Sequence, residues 1–117
     1  MPRDPWLELP EAAWQEQVIS LARQFHWRVA HFRAGRTSRG QWRTPVQADG
    51  AGFPDLMLCD RRIIYAELKA DKGKITPDQV EWLAAIRSAG GEAYLWRPAD
   101  LEDVVRVLSD GRARVAS

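Results

Sequence analysis

Asp55, Glu67 and Lys69 are the residues whose types and spacing could do chemistry. Asp55 closes the run Gly52-Phe53-Pro54-Asp55, and Glu67 and Lys69 flank Leu68. Two carboxylates brought close together repel and gain proton affinity unless a cation lies between them. Mg²⁺ suits such a donor set, because it takes oxygen ligands, keeps several waters and commonly needs only one or two carboxylates plus substrate phosphate. The backbone carbonyl of Leu68, between the two functional side chains, would add another oxygen. Lys69 would hold or polarise the water that attacks phosphorus, and the cation would offset charge in the transition state. Each piece alone has a bland reading: Pro-Asp is a common turn dipeptide, and alternating Glu and Lys is the pattern of a solvated strand. The inference rests on their combination.

That chemistry requires two strands to lie side by side. Asp55 to Cys59 and Ile63 to Ala70 read as strands separated by the reversal Asp60-Arg61-Arg62, an antiparallel hairpin. Alternation puts Glu67 and Lys69 on one face and Ile64, Ala66 and Leu68 on the other. Upstream, Pro10 suits the first position of a helix in which Trp14, Val18, Leu21 and Phe25 form an apolar stripe, ending near His26. Arg28 to Phe32 reads as a short strand. Downstream, Thr76-Pro77-Asp78-Gln79 carries Thr at the N-cap, Pro at N1 and Gln at N3, a capping box. Val80, Leu83, Ala84 and Ile86 would form that helix's apolar face, and Gly90-Gly91 would stop it. Ala93 to Trp96 is a fourth strand, and Asp100 could cap a last helix through Leu108. The order αβββαβα predicts an α/β domain with a central mixed four-stranded sheet flanked by helices. Residues 1–10 read as an N-terminal arm and 11–117 as a single domain.

The first helix offers Glu11, Gln15 and Glu16 to the same site. With Glu11 at 0° and about 100° per residue, the apolar stripe centres near roughly −50°, Gln15 falls at about +40° and Glu16 at about +140°. Glu11 and Gln15 thus flank the buried face, and Glu16 points away.

The chain has 117 residues, 17 Lys+Arg against 16 Asp+Glu, and a net charge of +1. From Gln17 to Ala48 there is no acidic residue, yet Arg23, Arg28, Arg33, Arg36, Arg39 and Arg43 fall there, so the remainder is net acidic. Such polarity suits a phosphate-facing surface beside an acidic site. The bland alternative is an ordinary basic face. Much of the basic stretch lies in Arg33–Phe53, longer than ordinary connections. Arg33, Arg36, Arg39 and Arg43, with Lys72 and Lys74, are the candidate phosphate contacts, and Trp42 is the candidate for base stacking. Trp14, Trp82 and Trp96 sit in apolar patterns and read as core. His31 could reach DNA or be an ordinary edge-strand histidine; Cys59 reads as an inert thiol and Asp49 as a loop solvator. At 45% hydrophobic residues the composition excludes disorder, and no apolar run approaches the ~20 residues of a membrane span. The opening residues show no apolar leader segment. One cysteine and two histidines exclude an intrachain disulfide and a zinc-finger framework. An intracellular, cytoplasmic protein is expected.

Taken in order, Gly52-Phe53-Pro54-Asp55, Glu67-Leu68-Lys69, Gly73-Lys74-Ile75-Thr76-Pro77-Asp78-Gln79, Trp82-Leu83, Gly90-Gly91 and Trp96-Arg97-Pro98-Ala99-Asp100-Leu101 resemble the VRR-NUC family. This is the virus-type replication-repair nuclease branch of the PD-(D/E)XK superfamily, and the likeness runs from about Glu11 to Leu108. It implies a restriction-endonuclease-like core, dependence on Mg²⁺ or Mn²⁺, and phosphodiester hydrolysis. In that pattern Asp55 and Glu67 would be metal ligands, Lys69 the catalytic lysine and Gln79 the typical second-helix Gln. The spacing of Glu11 and Gln15 is similar to the family's first motif. Stand-alone members resemble archaeal Holliday-junction resolvases, which act as homodimers. The expectation is therefore a metal-dependent DNA endonuclease acting on branched DNA, since nothing resembles a base-reading helix or a separate specificity domain. The alternatives are a restriction or defence nuclease on linear duplex and a non-catalytic nucleic-acid-binding module.

Overall fold

The computed structural model describes residues 4–32, 35–36, 42–43 and 46–113. In chain order the elements are α1 (Glu11–Gln24), β1 (Arg28–His31), β2 (Gly35–Arg36), β3 (Trp42–Arg43), β4 (Leu56–Cys59), β5 (Ile63–Leu68), α2 (Pro77–Ser88), β6 (Glu92–Trp96) and α3 (Leu101–Ala113). Short 3₁₀ turns occupy Pro5–Glu8 and Pro98–Asp100. The main sheet has the order β1-β4-β5-β6, antiparallel across the first three strands and parallel between β5 and β6. The parallel step is what the α2 crossover allows. β2 and β3 form a separate antiparallel ribbon, with Gly35 opposite Arg43 and Arg36 opposite Trp42. The expected α/β class and mixed four-stranded sheet are what the chain builds.

One face of the sheet carries the core. Leu56, Leu58, Ile64, Ala66 and Leu68 pack with Trp14, Val18, Ile19 and Ala22 of α1 and with Val104, Val107 and Leu108 of α3. Trp14 and Trp96 belong to this cluster; so does Trp27, whose indole donates to the Leu108 carbonyl at 3.0 Å. α2 covers the opposite face at its β6 side, with Leu83 its buried residue.

Local signals account for most helix ends. The α2 capping box forms in both directions: Gln79 N donates to Thr76 Oγ1 at 3.2 Å and Thr76 N donates to Gln79 Oε1 at 2.9 Å. α1 ends in a Schellman pattern, with Trp27 N donating to Ala22 O and His26 N to Arg23 O, both at 3.0 Å. His26 takes the left-handed position at φ 69°, where glycine is usual.

Several sequence expectations shift. Pro10 is the N-cap of α1, not its first residue: its backbone is extended (ψ 155°) and its carbonyl accepts from Trp14 N. The buried stripe of α1 is rotated, with Gln15, Ile19 and Ala22 buried beside Trp14 and Val18, while Leu21 and Phe25 are half-buried. Val80 is 50% exposed and Ala84 is exposed, because α2 meets the sheet through Gln79, Leu83 and Ile86 instead. Trp82 is half-buried outside the core: it packs edge-on against Phe53 and donates to the Asp49 carbonyl at 3.0 Å. Asp100 accepts from Arg97 N at 2.8 Å within the 3₁₀ turn, so α3 starts after it and continues past Leu108 to Ala113. Of the arm, Pro5–Glu8 is a 3₁₀ turn and Leu9 packs against the core. No helix among the described residues is long and apolar enough to cross a membrane.

Candidate active site

The β4–β5 register sets Leu56 opposite Ala66. One further step places Asp55 opposite Glu67, so the hairpin puts two carboxylates face to face just beyond the last ladder pair of β4. Like charges in that position are destabilising. Asp55 is fixed there by Leu68 N, which donates to its Oδ2 at 2.9 Å. The strand register, this bond and a second from Phe32 N to the Asp55 carbonyl at 2.7 Å hold Asp55 beside Glu67.

Glu67 is 1% exposed. Its Oε2 accepts a long bond of 3.5 Å from Gln79 Nε2, and its Oε1 is buried with no hydrogen-bond partner. Burial, then the Asp55 carboxyl with which it can share a proton, push the Glu67 pKa up to about 9, with Glu11 adding slightly and Lys69 opposing. Two ionised carboxylates are acceptors only. Among the described residues Leu68 N donates to Asp55 and Gln79 Nε2 donates weakly to Glu67, yet one buried Glu67 oxygen stays unpartnered, and a shared proton or a cation would satisfy it.

Among the described residues, the ammonium of Lys69 supplies positive charge to Glu67. Its side chain is 12% exposed and lies 3.9 Å from Glu11 Oε1 of α1. Lys69 N donates to the Trp96 carbonyl at 3.1 Å, and Trp14 Nε1 donates to that same oxygen at 3.0 Å. One carbonyl thus ties together the end of β5, the end of β6 and the first turn of α1 from which Glu11 projects. Asp55, Glu67, Lys69, Glu11 and Gln79 therefore meet at one end of the sheet. Gln15 lies one turn after Glu11, on the same helix face, and is 8% exposed; Glu16 is exposed.

The donor set fits a small divalent cation. An orphaned buried carboxylate oxygen and an adjacent second carboxylate are what such an ion satisfies. Among the described residues no three His, Cys, Asp or Glu side chains gather as a ready-made cluster. The fit is accordingly to an ion content with two carboxylates, a carbonyl, water and phosphate oxygens.

The sequence matches the VRR-NUC domain over residues 7–100. The chain belongs to the VRR-NUC family. It is a nuclease domain of the PD-(D/E)XK type, and DNA is the substrate its family implies. Comparisons with curated proteins and with solved structures give no match.

In this VRR-NUC domain, Lys72 and Lys74 are exposed on the turn after β5. Arg36 and Arg43 lie on the β2–β3 ribbon with Trp42. Arg33 and Arg39 lie outside the described residues. His31 is paired opposite Leu56, which puts its side chain on the core face, away from the carboxylates. Cys59 is a half-buried free thiol at the far end of β4. A surface concavity beside α2 carries Asp49, Asp78 and Glu81 around Trp82; its acidic lining would repel a phosphate backbone.

Sequence reasoning missed the role of Gly52. It sits at φ +81°, and a Cβ there would lie 2.5 Å from the Asp78 carbonyl carbon and 2.7 Å from Gln79 N. This close approach seats the Asp55 strand against the first turn of α2 and lets Gln79 reach Glu67. The glycine was visible in the motif, but only the packed helix gives its reason. Arg97, named from sequence only within the Trp96–Leu101 segment and given no role there, is the other residue missed.

Proposed function

We propose that this nuclease domain is a divalent-cation-dependent, structure-selective DNA endonuclease that acts on branched DNA, such as Holliday junctions, as a homodimer. The observation that carries the reading is the buried Glu67 carboxylate, with an unpartnered oxygen, held against Asp55. Asp55, Glu67 and the Leu68 carbonyl would hold Mg²⁺ or Mn²⁺. A bound ion supplies charge neutralisation at the scissile phosphate. The residues themselves supply position and proton control. Leu68 N holds the Asp55 carboxylate in place, and Gln79 restrains one oxygen of Glu67. Lys69, oriented by Glu11, donates hydrogen bonds to the attacking water or to a non-bridging phosphate oxygen, lowering the cost of developing negative charge. Arg33, Arg36, Arg39, Arg43, Lys72 and Lys74 bind phosphates without reading bases, and Trp42 stacks on an exposed base. A domain with one such pair of carboxylates serves one strand, so two copies serve a duplex or junction.

Incubating the protein with Mg²⁺ and synthetic four-way junctions, flaps and linear duplexes tests this. Cleavage of junctions in preference to linear duplex, abolished in Asp55→Ala, is expected. Preference for linear duplex would overturn the junction assignment; an Asp55→Ala variant as active as the parent would overturn the site.

A further inference from the structure

Arg97, which follows β6, reaches across to the turn that follows β5. Its Nη1 donates to the carbonyls of Ala70 at 2.7 Å, Gly73 at 2.6 Å and, more weakly, Asp71 at 3.3 Å. The turn's own bond runs from Gly73 N to Ala70 O at 3.0 Å. Charge-assisted bonds of this length are the strong class, and a cation that gathers several carbonyls fixes the path of the chain between them. Arg97 is itself held: Arg97 N donates to Asp100 Oδ2, the following Pro98 confines Arg97 to its extended backbone (φ −115°, ψ 163°), and the preceding carbonyl of Trp96 is occupied by Lys69 N and Trp14 Nε1.

The arrangement sorts the charges of the turn. Carbonyl oxygens, the negative ends of the peptide dipoles, are drawn inward to Arg97. Asp71 is half-buried, whereas Lys72 and Lys74 are exposed. The outward surface of the turn is thereby positive, and it lies immediately after Lys69 in the chain.

We propose that Arg97 is a positioning residue that presents Lys72 and Lys74 as a phosphate clamp beside the candidate active site. The inference rests on the reading that these lysines contact DNA. Lys69 keeps its own tether to the Trp96 carbonyl. Loss of Arg97 should therefore weaken DNA binding and leave turnover at saturating DNA near that of the parent.

The test is DNA binding by fluorescence anisotropy, without divalent ions, across a series of salt concentrations, together with KM and kcat in Mg²⁺. Lys72→Met/Lys74→Met should lower the slope of log K against log[salt] by about 2, since each phosphate contact contributes roughly 0.9. Arg97→Met should lower it similarly and raise KM with kcat retained. The triple variant should lose no more than either parent variant, because Arg97 acts through the lysines. Arg97→Lys, with a shorter donor that cannot span three carbonyls, should fall between the parent and Arg97→Met, and it is the variant to read if Arg97→Met does not fold. Parental binding and salt slope in the Arg97 variants would overturn the inference, as would additive losses in the triple variant or a fall confined to kcat. If the parent protein's binding is itself indifferent to salt, or unchanged in Lys72→Met/Lys74→Met, the DNA-contact reading fails instead.

Discussion

Replacing Glu67 with Gln should make the metal-free protein more stable at neutral and alkaline pH. Glu67 is 1% exposed, with one oxygen unpartnered. Its pKa is pushed from 4.5 to about 9, chiefly by burial and then by Asp55. The folded state therefore holds a proton that the unfolded chain releases. Stability from this group is fully present below about pH 4.5 and is lost as pH rises towards about 9. The slope approaches 1.4 kcal/mol per pH unit, so about 3 kcal/mol should disappear between roughly pH 5 and pH 8 after allowing for relaxation around the site. Gln is nearly isosteric and does not titrate, so Glu67→Gln lacks this slope, and subtracting the two proteins cancels the titrating groups that do not interact with Glu67, leaving the joint titration of Glu67 and Asp55. Urea unfolding in the presence of a chelator, at a series of pH values, measures the difference. The parent should lose ground to Glu67→Gln as pH rises, and should recover it when Mn²⁺ or Mg²⁺ is added. Parallel stability curves across that range would refute the claim that a buried, uncompensated carboxylate sits in this fold.

Two backbone predictions accompany it. Gly52→Ala forces a Cβ into the first turn of α2 at a positive φ, and should cost more than about 2 kcal/mol in thermal or urea unfolding while reducing cleavage, because Asp55 and Gln79 are displaced together. His26→Gly relieves the left-handed strain at the α1 Schellman turn; even after glycine's greater unfolded-state entropy it should stabilise by roughly 0.5 kcal/mol, seen as a Tm rise of a few degrees without change in DNA cleavage.

Local signals carried furthest. The capping box at Thr76–Gln79 and the hairpin around Asp60–Arg62 rest on residues adjacent in sequence, and both are present as expected. Long-range packing was harder to read. The buried face of α1 includes Gln15 because the helix is covered by both the sheet and α3, which widens the buried stripe beyond the residues that an apolar pattern marks. Val80 was expected inside and is outside, because α2 rests on a narrow seam at the β6 side of the sheet, where Gln79 and Leu83 face inward. The convergence of Asp55 and Glu67 followed from the hairpin, since register fixes cross-strand partners. The contribution of Arg97 did not, because a side chain that gathers carbonyls from a turn 24 to 27 residues earlier leaves no periodic trace in the sequence.

The central claim is that Asp55 and Glu67 share a divalent ion. Anomalous diffraction from crystals soaked in Mn²⁺ addresses it most directly. A single strong peak bounded by the Asp55 and Glu67 carboxylates and the Leu68 carbonyl, absent in Asp55→Ala, is the predicted result. Manganese found elsewhere, with that position filled by a shared proton while the same protein still cleaves DNA, would contradict it.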